Sequence, residues 1–165
     1  MGSYYYLVAQ LPYLQFGEES PISVDELLDE AQKWVTKSEL ALLRSIDLEE
    51  TKIYGNEPEV IKQYKRFEKK LRQELVAWRE ARDQGTEHKP NLFRIGLLKE
   101  GTPLDVEENL LRLRWEFIKE LETGLHFQFP VVALYVLKLQ ILKRMDTFDR
   151  EVGEEKFKHY TEVSL

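Results

Sequence analysis

Apolar residues recur at helical spacing through the middle of the chain. Successive members of this stripe are three or four residues apart, which is the period of one face of an α-helix. The pattern predicts a long helix near 57–84, with Asn56 as its N-cap, Pro58 in its first turn and Gly85 beyond its end. The stripe consists of Val60, Tyr64, Phe67, Leu71, Leu75 and Trp78.

A second segment is apolar on nearly every side. Val131–Leu142 contains only two polar residues, Lys138 and Gln140. A helix of this kind is normally buried, so we predict a core helix near 130–148. The apolar run is too short and too interrupted for a membrane span, which needs about 20 apolar residues. We expect the Lys138 stem to extend to the surface; the alternative is a paired lysine in the interior or at an interface.

Hydroxyl residues mark three further helix starts. Ser23 precedes Glu26, and Thr36 precedes Glu39, by the three residues of a capping box. Thr102 is followed directly by a proline, a residue favoured in the first turn of a helix. Each of the three therefore predicts a separate amphipathic helix.

Three other segments are harder to assign. The opening segment Tyr4–Leu11 is aromatic and apolar, and it fits either a strand or a short helix. Residues 85–103 contain three glycines and two prolines, which makes this stretch the best hinge candidate. Residues 151–163 form a last amphipathic piece. The whole pattern predicts an all-α protein: an elongated helical bundle of about five to six helices in a single domain, 1–165.

Composition excludes several functions. The net charge of −6 argues against nucleic-acid binding, because phosphate neutralisation needs a basic surface. The absence of cysteine excludes disulfides and thiolate metal sites. No signal-peptide pattern is visible at the N-terminus. We therefore expect a soluble, cytoplasmic protein.

Motifs for catalysis or cofactor binding are also missing from the sequence. His88, His126 and His159 are too widely spaced to share a metal-ligand pattern. No glycine-rich phosphate loop and no Gly-x-Ser-x-Gly turn occurs. We expect a protein that is not an enzyme and has no metal or cofactor. A carboxylate-based catalytic site is the alternative, since acids are plentiful, but solvated surface acids are the favoured interpretation.

A basic run lies beside the stripe of the long helix and is the candidate partner-binding site. It flanks the apolar face on both sides and would suit an acidic partner, although a solvated helix surface is the simpler interpretation. Farther along, Arg112 and Arg114 flank an apolar leucine, and we expect them to be solvated or paired with Glu108 or Glu116. The run consists of Lys65, Arg66, Lys69, Lys70 and Arg72.

Short motifs spread along nearly the whole chain carry a family resemblance. They are Tyr4–Pro12, Pro21–Ser23 with Leu27 and Leu28, Arg66–Arg72, Leu110–Glu116, Leu137–Leu142 and Phe148–Glu151. Together they resemble a bacterial family of unassigned activity whose members are encoded within V-type ATPase operons. Tyr4–Pro12 also resembles the start of the all-helical C (or d) subunit, which joins the central stalk of these ATPases to the membrane rotor ring.

The resemblance implies a non-catalytic component or assembly factor of a V-type ATPase, such as a central-stalk spacer similar to the C (or d) subunit. Its implied partners are stalk or rotor subunits, and its implied location is cytoplasmic, peripheral to the membrane through the complex, without direct insertion. The alternative is a stand-alone helical scaffold or adaptor, which would include a homodimer formed through the long helix.

Overall fold

The computed structural model describes the backbone of residues 2–99 and 101–163, and the side chains of residues 4–99 and 101–148. Within these residues all regular secondary structure is helical and no strand is present, which confirms the all-α prediction. Seven helices are present in this part of the chain, one more than the upper end of the predicted range. They are α1 (Gly2–Gln10), α2 (Val24–Ala31), α3 (Lys37–Ser45), α4 (Glu59–Asp83), α5 (Gly96–Lys99), α6 (Pro103–Glu122) and α7 (Phe129–Val163).

Two of the predicted helix starts are closed by complete capping boxes. Thr36 Oγ1 accepts the N–H of Glu39 at 3.2 Å, and the Glu39 carboxylate accepts the N–H of Thr36 at 2.9 Å. Thr102 and Asp105 make the same reciprocal pair, at 3.2 and 2.9 Å. Ser23 also caps its helix by accepting the N–H of Glu26 at 3.1 Å. Each box supplies acceptors for two backbone N–H groups that have no hydrogen-bond partner within the helix.

The predicted N-cap of the long helix is wrong. Helix α4 begins at Glu59, its N-cap residue is Pro58, and no side chain caps it. A residue before proline is sterically disfavoured in the helical region, so the helix does not extend back to include Glu57. Asn56 is therefore left outside the helix. The Glu57 carboxylate instead accepts the N–H of Tyr54 at 3.1 Å.

The opening segment is a helix, which resolves the choice between strand and helix. Its inner side carries Leu7, which is fully buried. The Tyr4 hydroxyl donates to the Glu39 carboxylate and ties α1 to the start of α3. After α1, the Pro12 carbonyl accepts a 2.5 Å hydrogen bond from the Tyr135 hydroxyl. Burial raises the pKa of Tyr135 to about 12, so this hydroxyl keeps its proton at neutral pH.

Helix α7 is the centre of the bundle. It packs against α1, α2, α4 and α6, and every residue from Val132 to Leu137 is buried. The predicted core helix near 130–148 is thus confirmed. The helix continues to Val163, so residues 151–163 are part of α7 and not a separate piece. The apolar residues of this stretch, Phe157 and Tyr160, have side chains outside the part of the chain whose side chains the structure describes.

Among the residues described, no helix has the combination of length and apolar composition that a membrane span requires.

Two polar residues of α7 have partners on other elements. Lys138 Nζ lies 2.6 Å from a Glu122 carboxylate oxygen and 5.1 Å from the ring centroid of Trp115. Its side chain is 12% exposed and that of Glu122 is 29% exposed, so the lysine stem extends to the edge of the bundle and its ammonium group is paired there. Gln140 donates to the Ile46 carbonyl and accepts from the Leu48 N–H, both at 2.7 Å. Its amide thereby satisfies two backbone groups of the loop that follows α3.

A second, smaller apolar cluster lies between α4 and α6. Phe93, in the stretch considered as a hinge, is buried there, and Leu97 and Leu98 of α5 pack against the same cluster. The Phe67 and Phe117 rings stack across the two helices with centroids 4.1 Å apart. Residues 85–99 are thus attached to the bundle by apolar side chains of their own. The hinge and the single-domain organisation stay predictions.

Candidate partner-binding surfaces

The five basic residues of the predicted partner-binding run do not form one accessible patch. Lys65 is only 5% exposed, donates to the Lys52 carbonyl at 2.7 Å and pairs with the Glu57 carboxylate. Its ammonium group is therefore enclosed and inaccessible to a partner. The other four are exposed: Arg66 pairs with Glu59 at 3.1 Å, and Lys69, Lys70 and Arg72 continue along the helix.

The charged side chain of Glu68 on α4 faces the interior of the protein because it belongs to a buried ion network. The Glu68 carboxylate is completely buried and accepts two hydrogen bonds from Arg114, at 2.7 and 3.0 Å. Arg72 donates a third at 3.0 Å and also donates to the Glu49 carbonyl. The Tyr64 hydroxyl donates to the Leu48 carbonyl at 2.8 Å and lies 3.5 Å from Glu68. The network joins α4 to α6 and to the loop after α3.

The protonation states of Tyr64 and Arg114 are fixed at neutral pH. Burial, and then the charge of Glu68, raise the pKa of Tyr64 well above its usual value, so the hydroxyl stays neutral. Burial disfavours the charged form of Arg114, but its hydrogen bonds and attraction to Glu68 outweigh this and raise its pKa. General acid–base catalysis works best with a pKa near the operating pH, and neither group meets that condition.

The expectation for Arg114 is wrong, whereas Arg112 is exposed to solvent, which was one of the two states expected for it. Arg114 pairs with Glu68, which is 46 positions earlier in the chain, and not with Glu108 or Glu116. The Arg112 guanidinium lies 4.4 Å from the ring centroid of Phe16. Both residues therefore contact other segments of the fold, which local helical spacing does not reveal.

Next to the Glu68 network lies an open groove of about 660 Å³, bounded by α4, α6, the α5 region and Arg144 of α7. We call it the arginine groove. Its walls contain three glutamates, Glu49, Glu68 and Glu107. Sequence reasoning missed Arg79 and Arg82, although they follow Arg72 at spacings of seven and ten residues, on the same side of α4. The five arginines that line the groove are Arg72, Arg79, Arg82, Arg114 and Arg144.

At another place on the protein, aromatic rings are clustered on the outside. Tyr5 contacts Phe127 with ring centroids 4.4 Å apart, and Tyr5 also meets the Tyr6 ring edge-on at 5.7 Å. The Tyr6 ring stacks on Trp34 at 5.7 Å. The rings of Tyr5, Tyr6 and Phe127 are between 45% and 57% exposed. We call the four residues Tyr5, Tyr6, Trp34 and Phe127 the aromatic surface.

The aromatic surface was not predicted as a site, but part of its signal is in the sequence. Three consecutive tyrosines cannot all lie on one side of a short helix, because successive residues point about 100° apart. Tyr4 therefore faces inward to Glu39, while Tyr5 and Tyr6 face outward. The contacts of Tyr5 with Phe127 and of Tyr6 with Trp34 depend on the fold and have no local sequence signal.

The described residues show no group of three or more histidine, aspartate or glutamate side chains positioned to hold a metal ion. Comparison with known proteins found no match to a protein family, to a curated protein or to a solved structure. The surfaces described above are therefore the structural guide to function.

Proposed function

We propose that this protein is a non-catalytic, all-helical component or assembly factor of a V-type ATPase. It binds a stalk or rotor subunit and acts as a spacer similar to the C (or d) subunit, on the cytoplasmic side and peripheral to the membrane. The aromatic surface is the observation that carries the proposal, because it includes Tyr5 and Tyr6 from the opening segment that resembles the start of that spacer.

The physical support for this proposal is that the large rings of the aromatic surface are exposed and lie next to one another. Tyrosine, tryptophan and phenylalanine are enriched in the centres of protein interfaces, where they bury much area and lose little rotamer freedom. Here Tyr5 and Phe127 already contact each other, and the Trp34 ring stacks against the Tyr6 ring. The surface is thus preorganised, which lowers the entropy cost of binding a partner.

The exposed part of the basic run is a second proposed contact. Arg66, Lys69 and Lys70 lie on one helix, and charges of this kind at an interface rim accelerate association with an acidic partner. Lys65 is not part of this contact, since its ammonium group is enclosed by Glu57 and the Lys52 carbonyl.

Affinity purification of the tagged full-length protein from cells that express an intact V-type ATPase tests the proposal. We expect stalk or rotor subunits to be recovered with the wild-type protein. A double variant, Tyr5→Ser with Tyr6→Ser, removes two adjacent rings from the aromatic surface, and we expect it to lower this recovery by about tenfold or more, as loss of an interface hot spot does.

Tyr13→Ser is the matched control. Tyr13 is 86% exposed and no ring of the aromatic surface contacts it, so recovery of the subunits should not change. Circular dichroism establishes that all variants are folded. Failure to recover ATPase subunits with the wild-type protein, while the intact ATPase is isolated from the same cells, would refute the proposal. If light scattering showed a stable dimer and this dimer did not bind the ATPase subunits, the scaffold alternative would be favoured instead.

A further inference from the structure

The arginine groove has more positive than negative charge. Five arginines and three glutamates line it, an excess of two positive charges on a protein whose net charge is −6. The excess is therefore a local feature and not a consequence of composition. Clefts lined by charge of one sign concentrate ligands of the opposite sign.

Two of the three carboxylates in the groove are paired, whereas guanidinium donors remain. Arg82 lies 3.6 Å from the exposed carboxylate of Asp83, which does not line the groove. Glu68 is enclosed by Arg114 and Arg72, and Glu107 pairs with Arg144 at 3.1 Å. A guanidinium has five N–H donors, so each of these arginines keeps donors beyond those it uses for the carboxylates. Among the described residues, no carboxylate lies within salt-bridge distance of Arg79.

Between the arginines, the groove wall is apolar. Leu75, Trp78, Leu98, Val106 and Leu110 line this part of it. The Arg82 guanidinium lies 5.0 Å from the ring centroid of Trp78, which places a cation and an aromatic face next to each other. The volume of about 660 Å³ lies within the range of small-molecule sites, roughly 300–1,000 Å³.

We propose that the arginine groove binds a small molecule that combines an oxyanion, a phosphate or a carboxylate, with an aromatic or aliphatic body. Arg79 and Arg82 bind the oxyanion, and the body packs against Trp78 and Leu75. Planar guanidinium groups match both oxyanions by forming two parallel hydrogen bonds. The inference does not depend on the proposed role in a V-type ATPase, because it concerns another part of the protein.

Calorimetric titration of the purified full-length protein with four probes tests the inference. The probes are 1-naphthyl phosphate, 1-naphthoate, the neutral 1-naphthalenemethanol and inorganic phosphate. We expect at least one naphthyl anion to bind saturably with a Kd below about 1 mM, and both the neutral probe and inorganic phosphate to bind about tenfold more weakly or not at all. The stronger of the two anions identifies phosphate or carboxylate as the natural group.

The double variant Arg79→Gln with Arg82→Gln removes the proposed anion ligands. Both side chains are exposed and neither belongs to the Glu68 network, so the fold should be retained. We expect binding to weaken by more than about tenfold, since charged hydrogen bonds are lost. Arg44→Gln is the matched control, an exposed arginine of α3 that does not line the groove, and this variant should bind like the wild-type protein.

The tryptophan indole N–H signals in nitrogen-15 NMR locate the bound probe. The chain has three tryptophans, whose signals are assigned with single phenylalanine variants. We expect the Trp78 signal to shift on titration and those of Trp34 and Trp115 to stay in place. The inference is overturned if neither anion binds, if the neutral probe binds as tightly as the anions, if inorganic phosphate binds as tightly as naphthyl phosphate, or if the double variant binds unchanged.

Discussion

At the scale of single residues, Glu68 is the most deeply buried charged side chain among the described residues. It is a fully buried carboxylate on α4, and its charge is balanced by Arg114 on α6 and by Arg72 one turn farther along α4. Removing one partner of a buried ion pair leaves the other charge uncompensated at low dielectric, which costs far more than the pair contributes when intact.

We predict that Glu68→Gln lowers the free energy of unfolding by about 3 kcal/mol, because Arg114 is then left charged and mostly buried without a counter-ion. Urea denaturation followed by circular dichroism measures the change. Glu59→Gln removes an exposed carboxylate from its pair with Arg66 and should leave the denaturation midpoint nearly unchanged. Equal midpoints for the two variants would contradict a structural role for the buried network.

Residue-level chemistry is also where sequence reasoning was weakest. The helical stripe of α4 was clear, yet the pairing of Glu68 with Arg114 joins positions 46 residues apart. Local spacing suggested solvent or nearer acids for Arg114, and it did not indicate Glu122 as the partner of Lys138. In both cases the partner is fixed by how two helices pack together, and no pattern within either helix identifies it.

At the scale of elements, helix starts were predictable where a side chain forms the cap. Thr36 forms the capping box that its spacing predicts, and Thr102 caps the helix that its following proline predicts, since these signals need only residues within one turn. Asn56 failed because the steric restriction before Pro58 sets the start of α4. The extent of α7 was underestimated, because nothing in the pattern required the helix to end near residue 148.

The start of α6 depends on a glycine next to its cap. Gly101 has φ +87°, a left-handed conformation, and an added Cβ would lie 2.6 Å from an oxygen of Asp105, the residue that closes the capping box. We predict that Gly101→Ala lowers the free energy of unfolding by about 2 kcal/mol, from backbone strain and loss of the cap.

Gly55→Ala is the control for this substitution. Gly55 does not have a positive φ, and a Cβ there would have no heavy atom within 4 Å. Thermal and urea denaturation should therefore show little change for Gly55→Ala. If both alanine variants unfolded at the same midpoint, the conformation of Gly101 would not be a constraint on α6.

At the scale of the whole molecule, two apolar clusters of unequal size hold the bundle together. The larger surrounds α7 and includes buried residues from α1, α2, α3, α4 and α6. The smaller joins α4 and α6 to Phe93 and has five buried members. The arginine groove adjoins the smaller cluster, whereas the aromatic surface lies beside α1 and the start of α7. The two proposed sites are thus supported by different parts of the core.

Native-state hydrogen exchange should reflect this division. We predict that backbone amides of Val132–Leu142 exchange most slowly, near the rate set by global unfolding, because this stretch is enclosed by four other helices. Amides of α5, which has only four residues and no buried one, should exchange far faster. Equal protection of the two segments would show that the smaller cluster opens only together with the larger one.

The central position of α7 has a consequence for synthesis of the protein. Helices α1, α2, α4 and α6 precede it in the chain and pack against it. While residues up to Gln128 are being translated, side chains such as Leu7, Leu27 and Ile118 lack the part of the apolar cluster that α7 supplies. Translation adds roughly 5–20 residues per second, so this incomplete state lasts for seconds on the ribosome. We therefore expect the larger cluster to close only after the residues of α7 up to Phe148 have emerged.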